Sequence, residues 1–470
     1  MFRLSTISFL LLLVFNLNSN NINAETQLGG NDTVVMVGEI TITGNKVTKD
    51  RIIFRELEFS SGSSIELSKL DSLMVKSQQN LINRSLFNFV TLKKVTINDT
   101  VNVNINVVER WYFWPIPIIQ FADRNINAWL NKKDFSRVNY GVNLRVDNFR
   151  GLMEKLNIII QLGYDLVLGA RWSIPYLTKN QVLGMELGGG IQLNHTVAYK
   201  TVENKEQFYH SPSGYAQQNI YGKIGLTFRP GFNYLHSFNA GYNNYMFQDT
   251  IFNLNPNFGE EKNYSYFSIS YSFKLDQRDY KPYPLKGYYF ETSITKYGLG
   301  MFNGDVDNTS LNISFDQYLN IYKKLYFGYN VRGKLSTEKP MLPYFIKSGL
   351  GYYPNNIRGY ELYVVDGQQI AIFKSNLKYE IIPKTKFNIK WIKSTKFSES
   401  FLSIYANIFF DLAYVNDVNT AELNPLSNQF LFGTGLGLDF ITYYDLVLRL
   451  ELSYNKQKEI GFYIGFVAPI

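Results

Sequence analysis

One arginine and two carboxylates of this chain are placed so that they can meet. Arg358 lies in a long connection between two predicted strands, and Glu380 and Asp411 fall on the polar faces of the next two, 369–382 and 400–412. A guanidinium is a planar fork that binds a carboxylate through paired hydrogen bonds. A connection that folds inward would hold its arginine there, at a net gain of ~1.5–3 kcal/mol for a charge-assisted contact. The alternative is that these residues form ordinary ion pairs inside the fold.

The residues around the arginine fit a closely packed loop. In Ile357-Arg358-Gly359-Tyr360, Gly359 permits a tight backbone conformation and Tyr360 offers a ring to an inner wall. A pair of carboxylates also suggests acid–base chemistry. Here each carboxylate has an arginine as the favoured partner, so we predict no catalytic residues and no enzyme activity.

The composition excludes most other kinds of site. The 470 residues contain no Cys and only three His (His195, His210 and His236), which are far apart. Disulfides and thiol chemistry are excluded, and we predict neither a metal nor a cofactor. The net charge is +8, but Lys and Arg are scattered, so nucleic acid is not an expected partner. Solvated loops and a polar lumen explain this charge; attraction to anionic lipid or an acidic partner is the alternative.

Residues 1–24 are typical of a signal peptide. Met1-Phe2-Arg3 supplies a positive start, residues 4–17 supply the apolar segment, and Ala24 precedes a plausible cleavage site. No internal run reaches the roughly 18 apolar residues of a membrane-spanning helix. We therefore expect an exported chain that is not a helical membrane protein.

Residues 33–110 form a small α+β unit by pattern. Apolar residues alternate in its strands and recur at helical spacing between them. The predicted order is strand, helix, helix, strand, strand, at 35–43, 49–57, 65–86, 89–97 and 101–108, with a loop at 60–64.

Residues 111–470 have a different texture, with short alternating segments between Gly, Asn, Asp and Pro clusters and no convincing helix. Sixteen strands are predicted, within a few residues at each end. They lie near 113–121, 137–147, 154–164, 167–176, 181–196, 215–229, 232–247, 263–276, 286–299, 308–321, 323–335, 369–382, 400–412, 429–440, 443–456 and 459–468.

The alternation in these strands gives each one an apolar face and a polar face. In 443–456, Leu450 and Leu452 share one face, while Arg449 and Glu451 share the other. A soluble antiparallel sheet has the same pattern, but one this large would be expected to divide into domains, and its polar face is too charged for a packed core. We therefore predict a mainly β protein, a transmembrane sixteen-stranded antiparallel β-barrel preceded by the α+β domain.

Several motifs occur in the order found in one family of outer-membrane proteins. Ile357-Arg358-Gly359-Tyr360 resembles the Val-Arg-Gly-Phe/Tyr motif in the sixth external loop of the BamA/TamA assembly superfamily, and residues 33–110 resemble one POTRA domain. Phe409-Phe410-Asp411 resembles the family's Phe-x-Asp-x-Gly element, with Ala413 at the glycine position. The connection after the eighth strand resembles its periplasmic turn, through Asp276, Arg278, Asp279, Pro284 and Gly287.

The resemblance implies a location, partners and a function. It implies a barrel in the outer membrane of a Gram-negative bacterium, with the POTRA domain in the periplasm, that assembles or inserts outer-membrane proteins. The implied partners are unfolded outer-membrane or secreted polypeptides, outer-membrane lipids and accessory assembly proteins. In the family an arginine lock holds the sixth loop inside the barrel, which assigns that role to Arg358, Asp411 and Glu380. A dedicated transporter of a polypeptide or lipid, and a passive pore, are the alternatives.

The first and last predicted strands carry residues that weaken strand pairing. Pro115 and Pro117 cannot donate to a ladder, and Gly461 and Gly465 thin the last strand. The seam between these strands is therefore expected to be weakly bonded, and in the family clients or lipids gain access there. The alternative is that the prolines only stiffen the link to the POTRA domain.

Overall fold

The structure is a computed structural model, and it describes residues 33–121, 137–302, 306–337, 343–346, 349–417 and 421–466. The predicted signal peptide, residues 1–24, lies outside the described residues. Within them, no helix is both long enough and apolar enough to cross a membrane.

The N-terminal domain is a four-stranded sheet covered by one long helix. The strand order is β2-β1-β4-β3, with β1 parallel to β4. In the long helix, Leu70, Met74, Ser77 and Leu81 are buried at spacings of three or four residues, which places one face on the sheet. The elements are β1 (Val34–Thr43), α1 (Asp50–Phe54), β2 (Ser64–Glu66), α2 (Leu67–Ile82), β3 (Phe87–Ile97) and β4 (Thr100–Glu109). The predicted order is confirmed, except that the short β2 follows the predicted loop.

Sixteen further strands form one antiparallel sheet in sequence order, interrupted only by a separate hairpin, β10–β11. All sixteen lie where the alternating pattern predicts strands. The sixteen strands are β5 (Phe113–Phe121), β6 (Val138–Phe149), β7 (Glu154–Gly163), β8 (Leu166–Ile174), β9 (Leu183–Asn194), β12 (Gln217–Phe228), β13 (Tyr234–Phe247), β14 (Asn263–Asp276), β15 (Gly287–Tyr297), β16 (Asn308–Tyr322), β17 (Leu325–Ser336), β18 (Gln369–Asn388), β19 (Glu399–Asn416), β20 (Phe430–Thr442), β21 (Val447–Asn455) and β22 (Ile460–Phe466). The separate hairpin consists of β10 (Thr196–Val202) and β11 (Lys205–His210).

In this sheet the apolar side chains are on the exposed face and the polar side chains are on the buried face, the reverse of a soluble protein. On β21 the side chain of Leu452 is 49% exposed on the outer face, whereas Glu451 and Ser453 are buried inside. The same arrangement recurs on β18 to β20, where inward Asn376, Asn407 and Asp439 are buried. The predicted apolar outer face and polar lumen are therefore confirmed.

The sheet curves into a barrel, and the N-terminal domain lies against the turns at one end of it. We call the side on which this domain lies proximal and the opposite side distal. Proximal turns from both halves of the sheet contact the domain, which requires the sheet to curl back on itself. Examples are the β6–β7 turn, where Gly151 accepts a hydrogen bond from Lys49, and the β20–β21 turn, where Asp445 binds Arg110.

The connections contain structure that the pattern does not predict. The β10–β11 hairpin is an ordered pair in what was expected to be a loop, and two short helices, α3 (Asp249–Leu254) and α4 (Thr395–Ser398), follow in segments assigned no helix. These pieces are too short to show a clear period and are fixed by packing against other loops.

Candidate functional site

The candidate site is the inside of the barrel, where the distal connection between β17 and β18 folds into the lumen. Arg358 of this connection is buried against Asp411 of β19, whose side chain is 0% exposed. The backbone N–H of Arg358 donates to Asp411 Oδ2 at 3.0 Å, and its Nε donates to the same oxygen at 2.8 Å. Nη2 donates to the other oxygen, Oδ1. One carboxylate thus holds both the side chain and the backbone of the loop.

Three neighbours complete the surroundings of this guanidinium. Nη1 donates to Asn376 Oδ1 at 2.6 Å and lies 3.5 Å from Glu451 Oε1. The ring of Phe409 lies 4.0 Å from the guanidinium carbon, in cation–π geometry. The β18–β19 ladder places these groups together. It pairs Lys374 with Asp411, and two residues further along it pairs Asn376 with Phe409.

Two glycines let the loop backbone reach the wall. Gly359 has a φ of +85°, a conformation that favours glycine, and its carbonyl accepts a hydrogen bond from Asn455 Nδ2 at 2.8 Å. At Gly433 of β20, a Cβ would lie 1.9 Å from the carbonyl oxygen of Arg358. Next to them, Ile357 and Tyr360 are buried in an apolar cluster with residues of β18 to β20.

Glu380 does not take part in this lock, which corrects the contact expected from the sequence. Its carboxylate instead accepts a hydrogen bond from Tyr405 at 3.1 Å. Glu380 does point inward, but it is six residues along β18 from Lys374, the partner of Asp411. At about 3.3 Å per residue, that separation is roughly 20 Å, beyond the reach of one arginine. Glu451 is the second carboxylate near the arginine, and its only sequence signal was its place on the polar face of β21.

A second ion pair, missed in the sequence, lies closer to the proximal end. Arg449 Nε donates to Asp439 at 2.7 Å, and the hydroxyl of Tyr283 donates to the same carboxylate at 2.8 Å. Lys378 is buried with its Nζ 4.2 Å from the Tyr283 ring. Tyr283 comes from the β14–β15 turn, so this turn enters the lumen from the proximal side.

The residues singled out in that turn stabilise it internally. Arg278 binds Asp276 through Nε at 2.8 Å and Nη2 at 2.9 Å, and Asp279 accepts the backbone N–H of Leu285 at 3.1 Å. Pro284 is buried, and Gly287 has a φ of +96° where a Cβ would meet the carbonyl of Gln277. The turn thus has a fixed shape.

The same turn binds the N-terminal domain. Asn83, which follows α2, donates to the carbonyl of Asp279 at 3.1 Å and accepts the N–H of Lys281 at 3.0 Å. Tyr280 donates to Asp445, which also binds Arg110 at 2.6 Å. These contacts join two proximal turns to the end of the domain.

A buried ionic cluster joins the domain to the other half of the barrel. Glu56, 0% exposed, binds Arg229 of the β12–β13 turn at 2.7 and 2.9 Å and lies 3.1 Å from Arg84 of its own domain. Tyr176 of the β8–β9 turn donates to it at 3.0 Å. Burial alone would raise the pKa of Glu56, but the guanidinium groups of Arg84 and Arg229 outweigh it and lower that pKa. Glu56 is therefore held as a carboxylate.

The distal mouth is covered by the β10–β11 hairpin. Asn204 at its tip is buried; its backbone N–H donates to Asn424 Oδ1 at 3.0 Å, and its Oδ1 accepts the N–H of Leu426 at 3.0 Å. Its carbonyl accepts the N–H of Val364, in the Arg358 connection, at 2.9 Å. The hairpin starts between β9 and β12 and ends on the β19–β20 connection, eight strands away in the sheet order. It therefore crosses the mouth of the barrel.

The ends of the sheet form the seam. Among the described residues no ladder joins β5 to β22. The backbone N–H of Asp147, at the end of β6, donates a hydrogen bond to the carbonyl of Tyr112. Backbone groups alternate in direction along a strand, so those of the even-numbered residues of β5 bond to β6. The backbone groups of the odd-numbered residues point toward the seam. Pro115 and Pro117 are odd-numbered, so the seam edge of β5 lacks two donors.

The two glycines of β22 pair with inward residues of β21. Gly461 lies opposite Ser453 and Gly465 opposite Arg449. Between them Tyr463 is the inward side chain, and its ring lies where a Cβ on Gly461 would be. The inner face of the last strand therefore carries one ring, that of Tyr463, between two glycines.

Comparison with known families agrees with this architecture. The model of the Omp85 superfamily domain matches residues 148–466. A POTRA model, described as surface antigen variable number repeat, matches residues 35–110. No curated protein sequence gives a significant match.

Solved structures share the fold at low sequence identity. BamA from Haemophilus ducreyi, in a form lacking POTRA domains 1–3, aligns with a TM-score of 0.50 and 14% identity, over 92% of this chain and 84% of that chain. CdiB from Escherichia coli aligns with a TM-score of 0.51 and 10% identity, over 93% of this chain and 75% of that chain. At these identities the likeness establishes the fold.

Proposed function

This chain belongs to the Omp85 superfamily, and from that premise we propose that it is an outer-membrane assembly factor. It receives unfolded polypeptides at its periplasmic POTRA domain and passes them into the membrane along the seam between β5 and β22. The proximal side is then the periplasmic side, and the apolar outer face of the barrel contacts lipid.

The observation that carries this proposal is the seam. A strand edge with free backbone groups pairs readily with another extended chain. Since Pro115 and Pro117 remove two donors from the β5 edge, a full ladder between β5 and β22 cannot form there. Each missing hydrogen bond lowers the cost of separating the strands by about 1 kcal/mol. The seam is therefore the place where a client strand enters most easily.

The POTRA sheet offers a first site for an extended client. β2 pairs with only three residues of β1, Val34 to Met36. Toward Thr43, the same edge of β1 has no strand partner among the described residues. Pairing to such an edge uses main-chain groups and accepts many sequences, which suits a factor with many clients.

The closed lumen supports assembly over passive conduction. The Arg358 connection occupies the inside, the POTRA domain covers the periplasmic mouth, and the β10–β11 hairpin crosses the external mouth. A passive pore needs a continuous water path, which these three elements obstruct.

Quantitative outer-membrane proteomics after depletion of the protein tests the proposal. Loss of many unrelated β-barrels is the expected result. Loss of one or two surface products with other barrels intact would contradict a general role and identify a dedicated transporter.

Engineered disulfides test the seam directly, because the chain has no Cys of its own. Ile119→Cys combined with Phe462→Cys or Ile464→Cys should abolish assembly on oxidation and restore it on reduction. The control pair Ile119→Cys and Tyr140→Cys joins partners already paired in the β5–β6 ladder and should have no effect. Full activity with the seam crosslinked would rule out opening there.

A further inference from the structure

A hairpin extends beyond the proximal rim of the barrel. β18 and β19 have 20 and 18 residues, more than the roughly 9–11 needed to cross a membrane. Their neighbours end earlier, with Leu325 of β17 opposite Tyr379 and Thr442 of β20 opposite Leu402. Beyond this point residues 386–388 pair only with 399–401. We call residues 383–400 the rim hairpin.

The rim hairpin lies on the proximal side, beside the POTRA domain. Lys386 Nζ lies 4.7 Å from the ring of Phe89 in β3. The ring of Phe397 lies 6.1 Å from that of Trp111, just before β5. One face of the hairpin is thus packed against the protein, while the connection around Trp391 remains exposed.

The charge of the rim hairpin is strongly positive. The segment contains five lysines and one acidic residue, Glu399. Lys390 and Lys393 are exposed, and among the described residues neither has an ion pair or a hydrogen-bonding partner for its side chain. Two unpaired ammonium groups therefore lie at the tip of an element that starts from a membrane strand.

Exposed aromatic residues accompany these lysines. Trp391 is 84% exposed, and Phe387 is 46% exposed. Phe387 pairs with Ser400, which shares the outward face of β19 with Leu402 and Ile404, so it continues the apolar outer face past the rim. Trp beside Lys is the combination that proteins place at the level of lipid headgroups.

We propose that the rim hairpin binds anionic phospholipid headgroups of the periplasmic leaflet, with Trp391 at headgroup depth and Lys390 and Lys393 against the phosphates. Its position favours lipid over a soluble acidic protein, because the hairpin continues two membrane strands and its outward face is already apolar. The site would keep anionic lipid beside the β18–β19 part of the barrel. This inference rests on the membrane location alone and is independent of which polypeptides the protein handles.

Tryptophan quenching by brominated lipid tests the inference in the full-length protein. The protein and its Trp391→Phe variant are reconstituted into vesicles of brominated phosphatidylcholine, with and without brominated phosphatidylglycerol. Since the chain has five Trp, the difference between the two proteins reports Trp391 alone. We expect this difference emission to be quenched strongly when phosphatidylglycerol is present and weakly without it.

Charge variants separate lipid recognition from simple proximity. Lys390→Gln/Lys393→Gln should raise the phosphatidylglycerol content needed for half-maximal quenching, by about fivefold for each lysine. The matched control Lys390→Arg/Lys393→Arg keeps the charge and should behave as the wild type. The emission of the other tryptophans confirms that each variant is folded.

Two results would overturn the inference. An unquenched Trp391 in vesicles with phosphatidylglycerol would place the tip in water and leave it for a soluble acidic partner. Equal quenching with and without phosphatidylglycerol would show apolar contact without recognition of anionic headgroups. Either result leaves the assembly role, which is measured by depletion, unaffected.

Discussion

At the scale of single residues, Asp411 controls the position of a long loop. It accepts hydrogen bonds from both the backbone and the guanidinium of Arg358 while fully buried. A buried charge that loses its partner costs about 3–5 kcal/mol, more than the pair gains when formed. We therefore expect the lock to position the loop, and expect its loss to affect the loop more than the barrel.

Arg358→Ala and Asp411→Ala are each expected to impair function while the protein still inserts into the outer membrane. The Arg358 connection should become accessible to protease added outside the cell, which measures its release. Glu380→Gln is the matched control, since Glu380 contacts Tyr405 and not the arginine. Intact function in either alanine variant would contradict a functional lock.

Gly433→Ala is expected to release the same connection without changing any charge. Its Cβ would lie 1.9 Å from the carbonyl oxygen of Arg358, a distance that forces the loop away. Gly333→Ala is the control, because there the nearest atom, the Ile370 carbonyl oxygen, is 3.9 Å away. Similar protease patterns for both variants would show that the close approach at Gly433 is unimportant.

At the scale of elements, the POTRA domain and the proximal turns form one continuous contact surface. Glu56 joins the domain to the β8–β9 and β12–β13 turns, and Asp445 joins it to the β20–β21 turn. The core of the domain also extends to Tyr176 of a barrel turn. The domain is thus packed across the mouth by both ionic and apolar contacts.

Glu56→Gln is expected to weaken this docking by about 3 kcal/mol, because it leaves Arg84 and Arg229 without their buried carboxylate. Hydrogen–deuterium exchange in turn 229–233 should rise. Glu58→Gln is the control, because the side chain of Glu58 accepts a hydrogen bond from Asn80 of its own domain. Unchanged exchange in Glu56→Gln would show that the apolar contacts alone fix the domain.

The same contact predicts a pH dependence. Burial raises the pKa of Glu56, but Arg84 and Arg229 outweigh this effect, so in the folded protein the pKa lies below its ordinary value. The stabilising contribution of Glu56 is therefore complete above the ordinary glutamate pKa and is lost as the pH falls through the lowered value. Exchange in turn 229–233, expressed relative to the intrinsic amide exchange rate at each pH, should therefore stay low at neutral pH and rise only in acid. In Glu56→Gln this part of the acid response should be absent, and a response equal to the wild type would contradict its assignment to Glu56.

At the scale of the whole molecule, the barrel is closed at both ends around an occupied lumen. On the distal side, the tip of the β10–β11 hairpin is held by hydrogen bonds through Asn204 and Asn424. Sixteen strands enclose a wide interior, so we expect these elements to be what limits conduction through the barrel.

Single-channel recording tests this closure. The wild-type protein is expected to show low conductance in planar bilayers, and Asn204→Ala or Asn424→Ala should increase the frequency of large openings. Asn263→Ala, at the exposed distal end of β14, is the control and should match the wild type. A large and steady wild-type conductance would instead support a passive pore.

The regular parts of this fold are encoded locally. The two-residue period predicts all sixteen strands and their inward faces, and helical spacing predicts both helices of the POTRA domain. Features held by distant contacts are not encoded in this way. The β10–β11 hairpin and the extension of β18 to Asn388 depend on packing against other loops and on pairing with β19.

In the candidate site, too, some features follow from local sequence and others from contacts between distant residues. By itself the sequence determined that Glu380 and Asp411 face a common polar interior, because alternation alone sets the face of a strand. Arg358 lies in a connection, so its inward position was an expectation from its chemistry and from the family resemblance. Only the tertiary structure decided that the arginine meets Asp411 and Glu451, while Glu380 lies with Tyr405 nearer the proximal end. The physical reason is that the distance the Arg358 connection reaches into the lumen depends on residues far apart in the sequence. It is set by the register of the β18–β19 ladder and by the close approach of the loop backbone to Gly433.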